Sequence, residues 1–274
     1  MDKPYSAQVQ WDAFDPSKAP TLLITELVPN TTNVPGTSSD AYEYIEIYNN
    51  TDQPVNFKNY SLYYRYPDKG PSADVEWGAA NPDFVIPAQQ SVVFWIKNSV
   101  NTAYSEEDFN QFYQTNLIPN VTLHSIQSDG MANSGRRALV IKTNTGKEIS
   151  SAYYDADQTY ENGTKSDETK EDKAITYTYP RNGSTMMIKS SSGMETPSPG
   201  SILPEQVPSV PVHIELDTVP PTVQDMTKAT EADQSNGLEL IVDAKDDREV
   251  TSVEVFVRSD KQAEFTAHRL TEDY

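Results

Sequence analysis

The chain has 274 residues and a formal net charge of −20 at pH 7, with 23% charged and 10% aromatic residues. This length and composition predict a globular protein of one large or two ordinary domains. The acidic excess argues against binding to nucleic acids or anionic membranes, and no apolar run is long enough for membrane insertion. Because cysteine is absent, disulfides, zinc–thiolate sites and cysteine nucleophiles are excluded.

Alternation of apolar and polar residues with a period of two predicts β-strands along most of the chain. In EYIEIYN (43–49) the two isoleucines occupy one face, and Tyr44, Glu46 and Tyr48 occupy the other. In YSLYYRY (60–66) Leu62 and Tyr64 share a face, with Tyr63 opposite. We therefore predict strands or hairpins within residues 21–28, 43–49, 60–66, 84–96, 137–154 and 175–180.

One α-helix is predicted at residues 105–116. Ser105 is a good N-cap, and three acidic residues follow in the first turn, where the helix dipole favours negative charge. Phe109, Phe112 and Tyr113 have i, i+3, i+4 spacing and form one apolar face. We expect this helix to close an open end of a β-sandwich.

A proline-dense segment, TPSPGSILPEQVPSVPV (196–212), predicts a semi-rigid extended linker and a domain boundary. Strand-like texture then returns, with about four short strands before residue 274. Such strands at regular spacing are typical of an immunoglobulin-like sandwich, which usually needs about seven. We therefore expect this polypeptide to be a fragment of a longer protein.

Residues 21 to about 200 resemble the lamin tail domain family, in its Bacillus-type form. The motifs that carry the resemblance, in this order, are LLITELVPN (22–30), YEYIEIYNNTDQPVNFKNYSLYY (42–64), IPAQQSVVFWI (86–96), RRALVIKTNTGKEISSAYY (136–154) and TPSPG (196–200). In the third motif Gln89 or Gln90 stands where glycine is common in the family. The residues after the linker resemble bacterial immunoglobulin-like repeats, through DTVPP at 217–221 and DDREVTSV at 246–253.

The resemblance implies an all-β fold: an immunoglobulin-like β-sandwich with one short helix, followed by a second, partial immunoglobulin-like domain. It divides the chain into an N-terminal extension (1–20), a lamin tail domain (21–200), a Pro-rich linker (201–216) and the partial domain (217–274). It also implies a non-catalytic module in a secreted or cell-wall-associated bacterial protein. Such modules accompany hydrolases, often phosphoesterases or nucleases, so the expected partner is another domain of the same chain or a cell-surface component.

Four tyrosines are candidate binding residues. Tyr42, Tyr44 and Tyr48 share one strand face, and Tyr63 lies in a neighbouring strand segment. If exposed, their rings could stack on sugars or pack on a partner domain. The alternative is that they cover the outside of the sandwich beneath loops.

Five acidic residues are candidate calcium ligands, because carboxylates from a linker and an adjacent loop could together hold the ion. They are Glu215, Asp217, Asp243, Asp246 and Asp247. The alternative is that they are solvated loop acids. No other cofactor is expected.

The search for catalytic motifs is negative. His124, His213 and His268 are far apart in sequence and lack the spacing of a dinuclear phosphoesterase site. No G-x-S-x-G nucleophile motif occurs. The leading hypothesis is therefore a non-catalytic accessory module. The alternatives are a stand-alone carbohydrate- or wall-binding protein and, third, an enzyme in its own right.

Overall fold

The computed structural model of the protein describes residues 15–79, 82–155, 169–190, 193–228 and 239–271. Most of the predicted N-terminal extension, residues 1–14, lies outside the described residues. The strands are β1 Leu22–Val28, β2 Tyr44–Asn49, β3 Val55–Asn56, β4 Tyr60–Arg65, β5 Val75–Trp77, β6 Val85–Ile86, β7 Ser91–Lys97, β8 Leu123–Gln127, β9 Arg137–Thr143, β10 Glu148–Tyr154, β11 Ile175–Thr178, β12 Ile188–Lys189, β13 Thr222–Asp225, β14 Val242–Lys245, β15 Val253–Val257 and β16 Thr266–Leu270. The helical elements are α1 Glu106–Tyr113 and the 3-10 turns Pro16–Lys18, Phe57–Asn59, Pro67–Lys69 and Pro71–Ala73.

Two sheets form the main body, which confirms the predicted β-sandwich. The six-stranded sheet has the order β12-β11-β1-β2-β7-β8, and the four-stranded sheet has the order β10-β9-β4-β5. Every pairing within them is antiparallel except β7 with β8, which is parallel. Each strand segment predicted before residue 180 contains at least one observed strand.

The core between the sheets is built from the faces that the alternation predicts. Ile45 and Ile47 of β2 are fully buried, as is Phe94 of β7. From the other sheet Leu62 of β4 and Ile141 of β9 meet them in one continuous apolar cluster. Because successive side chains of a strand point to opposite faces, the intervening residues of β2 are directed to the outside of the six-stranded sheet.

Helix α1 begins at the predicted cap. The Ser105 hydroxyl accepts a hydrogen bond from the Asp108 amide, and the Asp108 carboxylate accepts one from the Ser105 amide in return. The helix does not close an end of the sandwich as expected. Its Phe109 packs against Tyr44 and Trp95, so α1 covers the outer face of the six-stranded sheet. That face is itself apolar in this region, and an apolar sheet face is buried by packing against another element.

The Pro-rich segment predicted as a linker lies against the sandwich over much of its length. Gln206 is 1% exposed, and its side-chain amide donates to the Thr25 carbonyl oxygen at 2.8 Å. Further on, the Val212 amide donates to the Asn50 carbonyl oxygen at 2.7 Å. Proline-rich chain can dock in this way because an extended backbone leaves its amides and side chains free for external partners. We call residues 195–207 the strap.

In the C-terminal unit (residues 217–271) the described residues form four strands, as predicted. They form two separate two-stranded sheets, β13 with β14 and β15 with β16. Their large apolar side chains stay in solvent: Val223 is 66% exposed, Phe256 59% and Phe265 56%. A second sandwich core is therefore not formed among the described residues, and the immunoglobulin-like nature of this unit stays a prediction.

Polar contacts join the C-terminal unit to the edge of the four-stranded sheet. The Arg269 guanidinium donates to the Ser61 hydroxyl and the Glu76 carboxylate, both at 2.8 Å. Lys147 in the β9–β10 turn pairs with Glu249 at 2.5 Å. These exposed pairs orient the unit, and each contributes little free energy.

Candidate functional site

The outer face of the six-stranded sheet carries most of the candidate binding residues, and α1 covers one half of it. Tyr44 is fully buried there, its ring 6.0 Å from that of Phe109 and its hydroxyl donating to Glu26 Oε1 at 2.8 Å. Trp95, from the adjacent strand, lies beside it and is 1% exposed. Tyr44 is thus a structural residue, enclosed by the helix.

Tyr42 precedes β2 and stays half-buried at the rim of this helix-covered region. Its ring stacks on Phe112 at a centroid distance of 4.1 Å and lies 6.2 Å from the ring of Trp95. The Tyr113 hydroxyl donates to the Tyr42 carbonyl oxygen at 2.7 Å. The aromatic partners of Tyr42 are thus residues of the protein itself, although part of the Tyr42 ring faces solvent.

The four tyrosines predicted to form one binding surface do not do so. Tyr63 lies on the outside of the four-stranded sheet, on the opposite side of the molecule, where Lys142 Nζ sits 4.5 Å from its ring centroid. Tyr44 is enclosed by the helix, so its ring is not exposed for contact with a ligand. Sequence alternation assigns a residue to a face of its own strand, and only the tertiary fold assigns that strand to a sheet.

Tyr48 is 9% exposed and lies at the end of β2, beyond the reach of α1. It contributes to the floor of an open groove whose walls are the β6–β7 turn, at Gln89 and Gln90, and the strap. The fold thus places this predicted tyrosine in a concave surface.

Two buried carboxyl groups occupy the middle of the same outer face. Glu26 of β1 and Glu46 of β2 are paired across the two strands, and both are 0% exposed. Burial raises the pKa of both groups, because it penalises the charged form, and the neighbouring Glu26 charge helps to raise the pKa of Glu46 to about 8. Glu46 is therefore largely protonated at neutral pH, because its pKa of about 8 lies above 7.

The strap supplies three of the hydrogen bonds to this pair, in addition to those from the Tyr44 and Thr25 hydroxyls. The Ser198 amide and hydroxyl donate to Glu26, each at 2.9 Å, and the Gly200 amide donates to Glu46 Oε2 at 2.7 Å. Gly200 has φ +86°, and a Cβ there would lie 2.8 Å from a methyl carbon of Leu117. The positive φ therefore favours glycine at the position whose amide reaches the Glu46 carboxylate.

Sequence reasoning missed the glutamate pair, although signals for it are present. Glu26 interrupts the apolar strand LLITELV, and Glu46 lies between Ile45 and Ile47. Alternation explains Glu46 as a solvent-facing residue, but the strap removes both carboxyl groups from solvent. Such a cover comes from residues more than 150 positions away and is not visible to local pattern analysis.

Three of the five predicted calcium ligands converge. Oxygen atoms of Asp217, Asp246 and Asp247 lie within 4.8 Å of one another, and Oδ2 of Asp246 is buried without a hydrogen-bond partner. The other two are engaged elsewhere: Glu215 pairs with Arg248 at 2.7 Å, and Asp243 pairs with Lys245 at 2.5 Å. Calcium binding stays a prediction, reduced by this geometry to three carboxylates, two of which are exposed.

The three histidines lie in separate places. His124 is 4% exposed and stacks on Phe84 with a centroid distance of 3.7 Å, while its Nδ1 has no hydrogen-bond partner. Burial lowers the pKa of His124, so the ring is neutral at physiological pH. His213 bonds to Asp52 at the sandwich edge, and His268 is exposed on β16. No two of them are placed to share a metal ion.

These features define the class of the protein as an all-β sandwich module with a helix-covered and strap-covered outer sheet. The sequence profile of the Lamin Tail Domain family matches residues 15–156. This match spans more than half of the 274 residues, and the chain belongs to the lamin tail domain family. The strands β11 and β12 and the strap lie beyond the matched residues and are built onto the same sandwich.

A curated relative extends the comparison to most of the chain. "Uncharacterized protein YvnB" of Bacillus subtilis (strain 168) is 37% identical over 254 residues, which is 92% of this chain and 18% of the relative. The chain thus spans less than a fifth of the relative's length. Within the described residues there is no helix with the length and apolarity needed to cross a bilayer.

Proposed function

We propose that this chain is a non-catalytic module of a larger bacterial protein that is secreted or attached to the cell surface. In that protein it serves as an accessory or interaction domain of a hydrolase, such as a metallophosphoesterase or a nuclease. The observation that supports the larger protein is the relative: nearly all of this chain aligns with a small part of a much longer polypeptide. The export and the hydrolase partner are what the family resemblance implies. A lamin tail sandwich with a dense core suits such a role, because it folds around its own residues.

The experiment that tests the proposal measures the size and location of the native polypeptide in the source bacterium. Antibody raised against residues 21–200 is used on immunoblots of the culture supernatant, the wall fraction and the cytosol. We expect a band far above 30.6 kDa in the supernatant or the wall fraction. A band near 30.6 kDa, or one confined to the cytosol, contradicts the proposal.

A second experiment addresses the accessory role. The module is deleted in frame from the full-length gene, and phosphodiester hydrolysis is measured in the supernatant and on the cells. We expect the hydrolytic activity of the remaining chain to persist but to change its distribution between the two fractions. Loss of activity in a remaining chain that still folds would instead place catalysis in the module.

A stand-alone carbohydrate- or wall-binding protein is the second candidate. The groove beside Tyr48 favours the binding part of that idea, because it is a concave surface with exposed polar side chains. This role and the accessory role share the same binding chemistry and differ in the size of the native polypeptide.

A further inference from the structure

A groove with a volume of about 350 Å³ runs between the β6–β7 turn and the strap. Tyr48 forms part of its floor, and Ile202 and Val207 of the strap pack against the same core cluster as Tyr48. The groove is open to solvent along its top. It therefore suits a ligand that enters from the side or continues beyond the site.

The two walls of the groove differ in chemistry. Gln89 and Gln90 are exposed and offer two primary amides, and Ser91 adds a hydroxyl group. The Ser91 hydroxyl is itself hydrogen-bonded to Glu46, so the amides are the polar groups that remain available. The strap wall is apolar at Leu203, which is 48% exposed, and at Pro204. Among the described residues, none of those lining the groove carries a charge.

Gln89 adopts a backbone conformation that favours glycine. Its φ is +56°, within the left-handed region, where an L-residue with a side chain is disfavoured by about 1 kcal/mol or more. The turn is closed by the Gln90 amide, which donates to the Pro87 carbonyl oxygen at 3.2 Å. A strained position that keeps a long amide side chain at the mouth of a groove is a reason to infer a function for that side chain.

The opposite wall is held firmly. The Gly200 amide is bonded to Glu46, and the Gln206 side chain bonds both the Thr25 carbonyl oxygen and the Leu203 amide. These contacts fix the strap before any ligand arrives. A preformed wall lowers the entropy lost on binding.

We propose that this groove binds a neutral oligosaccharide, which deepens the interaction role proposed above and rests on it. Primary amides both donate and accept, as neighbouring sugar hydroxyls do, and the apolar faces of sugar rings pack on Leu203 and Pro204. An anionic ligand has no lining cation to meet and would approach a chain of net charge −20. A cation has no lining carboxylate to meet.

The test uses the whole chain and three soluble probes: chitopentaose, cellopentaose and maltopentaose. Binding is measured by isothermal titration calorimetry up to millimolar concentration. We expect saturable binding of at least one probe. Absence of binding for all three overturns the proposal, as does saturable binding of polygalacturonate or poly-L-proline without binding of any neutral sugar.

Two variants locate the site. Gln89→Gly removes the amide and relieves the strained φ, so folding is retained, and we expect affinity for the bound sugar to fall about tenfold. The matched control is Gln114→Gly, since Gln114 is also exposed, has φ +54°, and caps the far end of α1. The control should bind within about twofold of the parent protein. If the Gln89→Gly variant binds the sugar as tightly as the parent protein, the assignment of sugar binding to this groove is wrong.

The outcome is separable from that of the proposed function. If the native polypeptide is large and lies in the wall or supernatant fraction but binds no sugar, sugar binding by the groove is rejected. The proposed accessory role is then retained. Sugar binding by a native polypeptide near 30.6 kDa supports the groove and rejects the larger protein.

Discussion

The sandwich (residues 22–207) and the C-terminal unit (217–271) have strands of the same alternating texture, yet their apolar residues have different surroundings. Phe94 on β7 is fully buried between two sheets, whereas Phe256 on β15 is 59% exposed on a two-stranded sheet. Alternation therefore specifies strands in both regions, but a core forms only where a second apolar layer is present. Two-stranded sheets alone have little independent stability.

The largest expected effect comes from truncating Phe94, and Phe256 is its exposed counterpart. Phe94→Ala removes a fully buried ring and leaves a cavity, so we expect the free energy of unfolding to fall by about 4 kcal/mol. Phe256→Ala should change it by less than about 0.5 kcal/mol. Urea unfolding followed by tryptophan fluorescence measures the unfolding of the sandwich in both variants, because all three tryptophans precede residue 96. Similar losses in the two variants would mean that the regions unfold as one unit.

Charged groups provide a second contrast between the regions. In the sandwich Asp74, whose side chain is 2% exposed, pairs with Arg65 and Lys142, each at 2.8 Å. Asp74→Ala leaves two largely buried cations without their shared partner, and we expect a loss of about 3 kcal/mol in urea unfolding. The control Asp243→Ala removes an exposed partner of Lys245 and should have almost no effect. A small effect at Asp74 would show that water or Glu148 replaces it.

The glutamate pair predicts a pH dependence that belongs to the sandwich alone. The folded-state pKa of Glu46, about 8, lies above the ordinary value of 4.5, so the folded state binds this proton more tightly than the unfolded state. Stability from this group is therefore complete below pH 4.5 and is lost as the pH rises through 8. Between pH 7 and 9 we expect a loss of roughly 1 kcal/mol.

Glu46→Gln mimics the protonated form and should reduce this slope in thermal unfolding between pH 7 and 9. Part of the slope should remain, because burial also raises the pKa of Glu26 and of Glu43. The control is Glu254→Gln in the exposed strand β15, which should keep the slope of the parent protein. The hydrogen bond to Asp52 raises the pKa of His213, so this group also loses stabilising free energy as the pH rises, and both variants share that contribution. An unchanged slope in the Glu46 variant would mean that the strap already accommodates two carboxylates.

The smallest expected effect concerns the joint between the regions. Arg269→Ala removes the bonds to Ser61 and Glu76, and because these groups are partly exposed we expect a change within about 1 kcal/mol. Amide hydrogen exchange should quicken in β15 and β16 while β1 and β2 keep their protection. Arg258→Ala is the control, since Arg258 stacks on Phe265 within its own unit. Faster exchange in both variants would assign the effect to the hairpin and not to the joint.

Local pattern predicted the strands of the sandwich and the cap of α1, because side-chain period and capping chemistry depend on near neighbours. The position of α1 could not be predicted in the same way. Its apolar face, with Phe109, fits either an open end or an apolar sheet face, and Tyr44 and Trp95 decide in favour of the sheet. The position of α1 therefore depends on residues of β2 and β7, which lie outside the helix.

The candidate site shows the same division. Alternation correctly sets Tyr44, Glu46 and Tyr48 on one face of β2, but their environments differ completely: under a helix, under the strap and at a groove. Likewise, the sequence identifies five acidic residues near the joint, whereas the fold brings three together and pairs Glu215 and Asp243 with basic neighbours. Sequence spacing carries no information on which distant segment covers a face.

By itself the sequence determined the all-β class, the strand segments and the helix cap, since each depends on residue types at short, fixed spacing. The lamin tail family was recognised through the resemblance of its motifs. Only the tertiary structure decided which polar groups are buried and which apolar groups remain exposed. The physical reason is that burial is a property of two surfaces in contact. Glu26 loses its solvent to Ser198, 172 residues away, while Phe256 keeps its solvent because the described chain lays nothing over it.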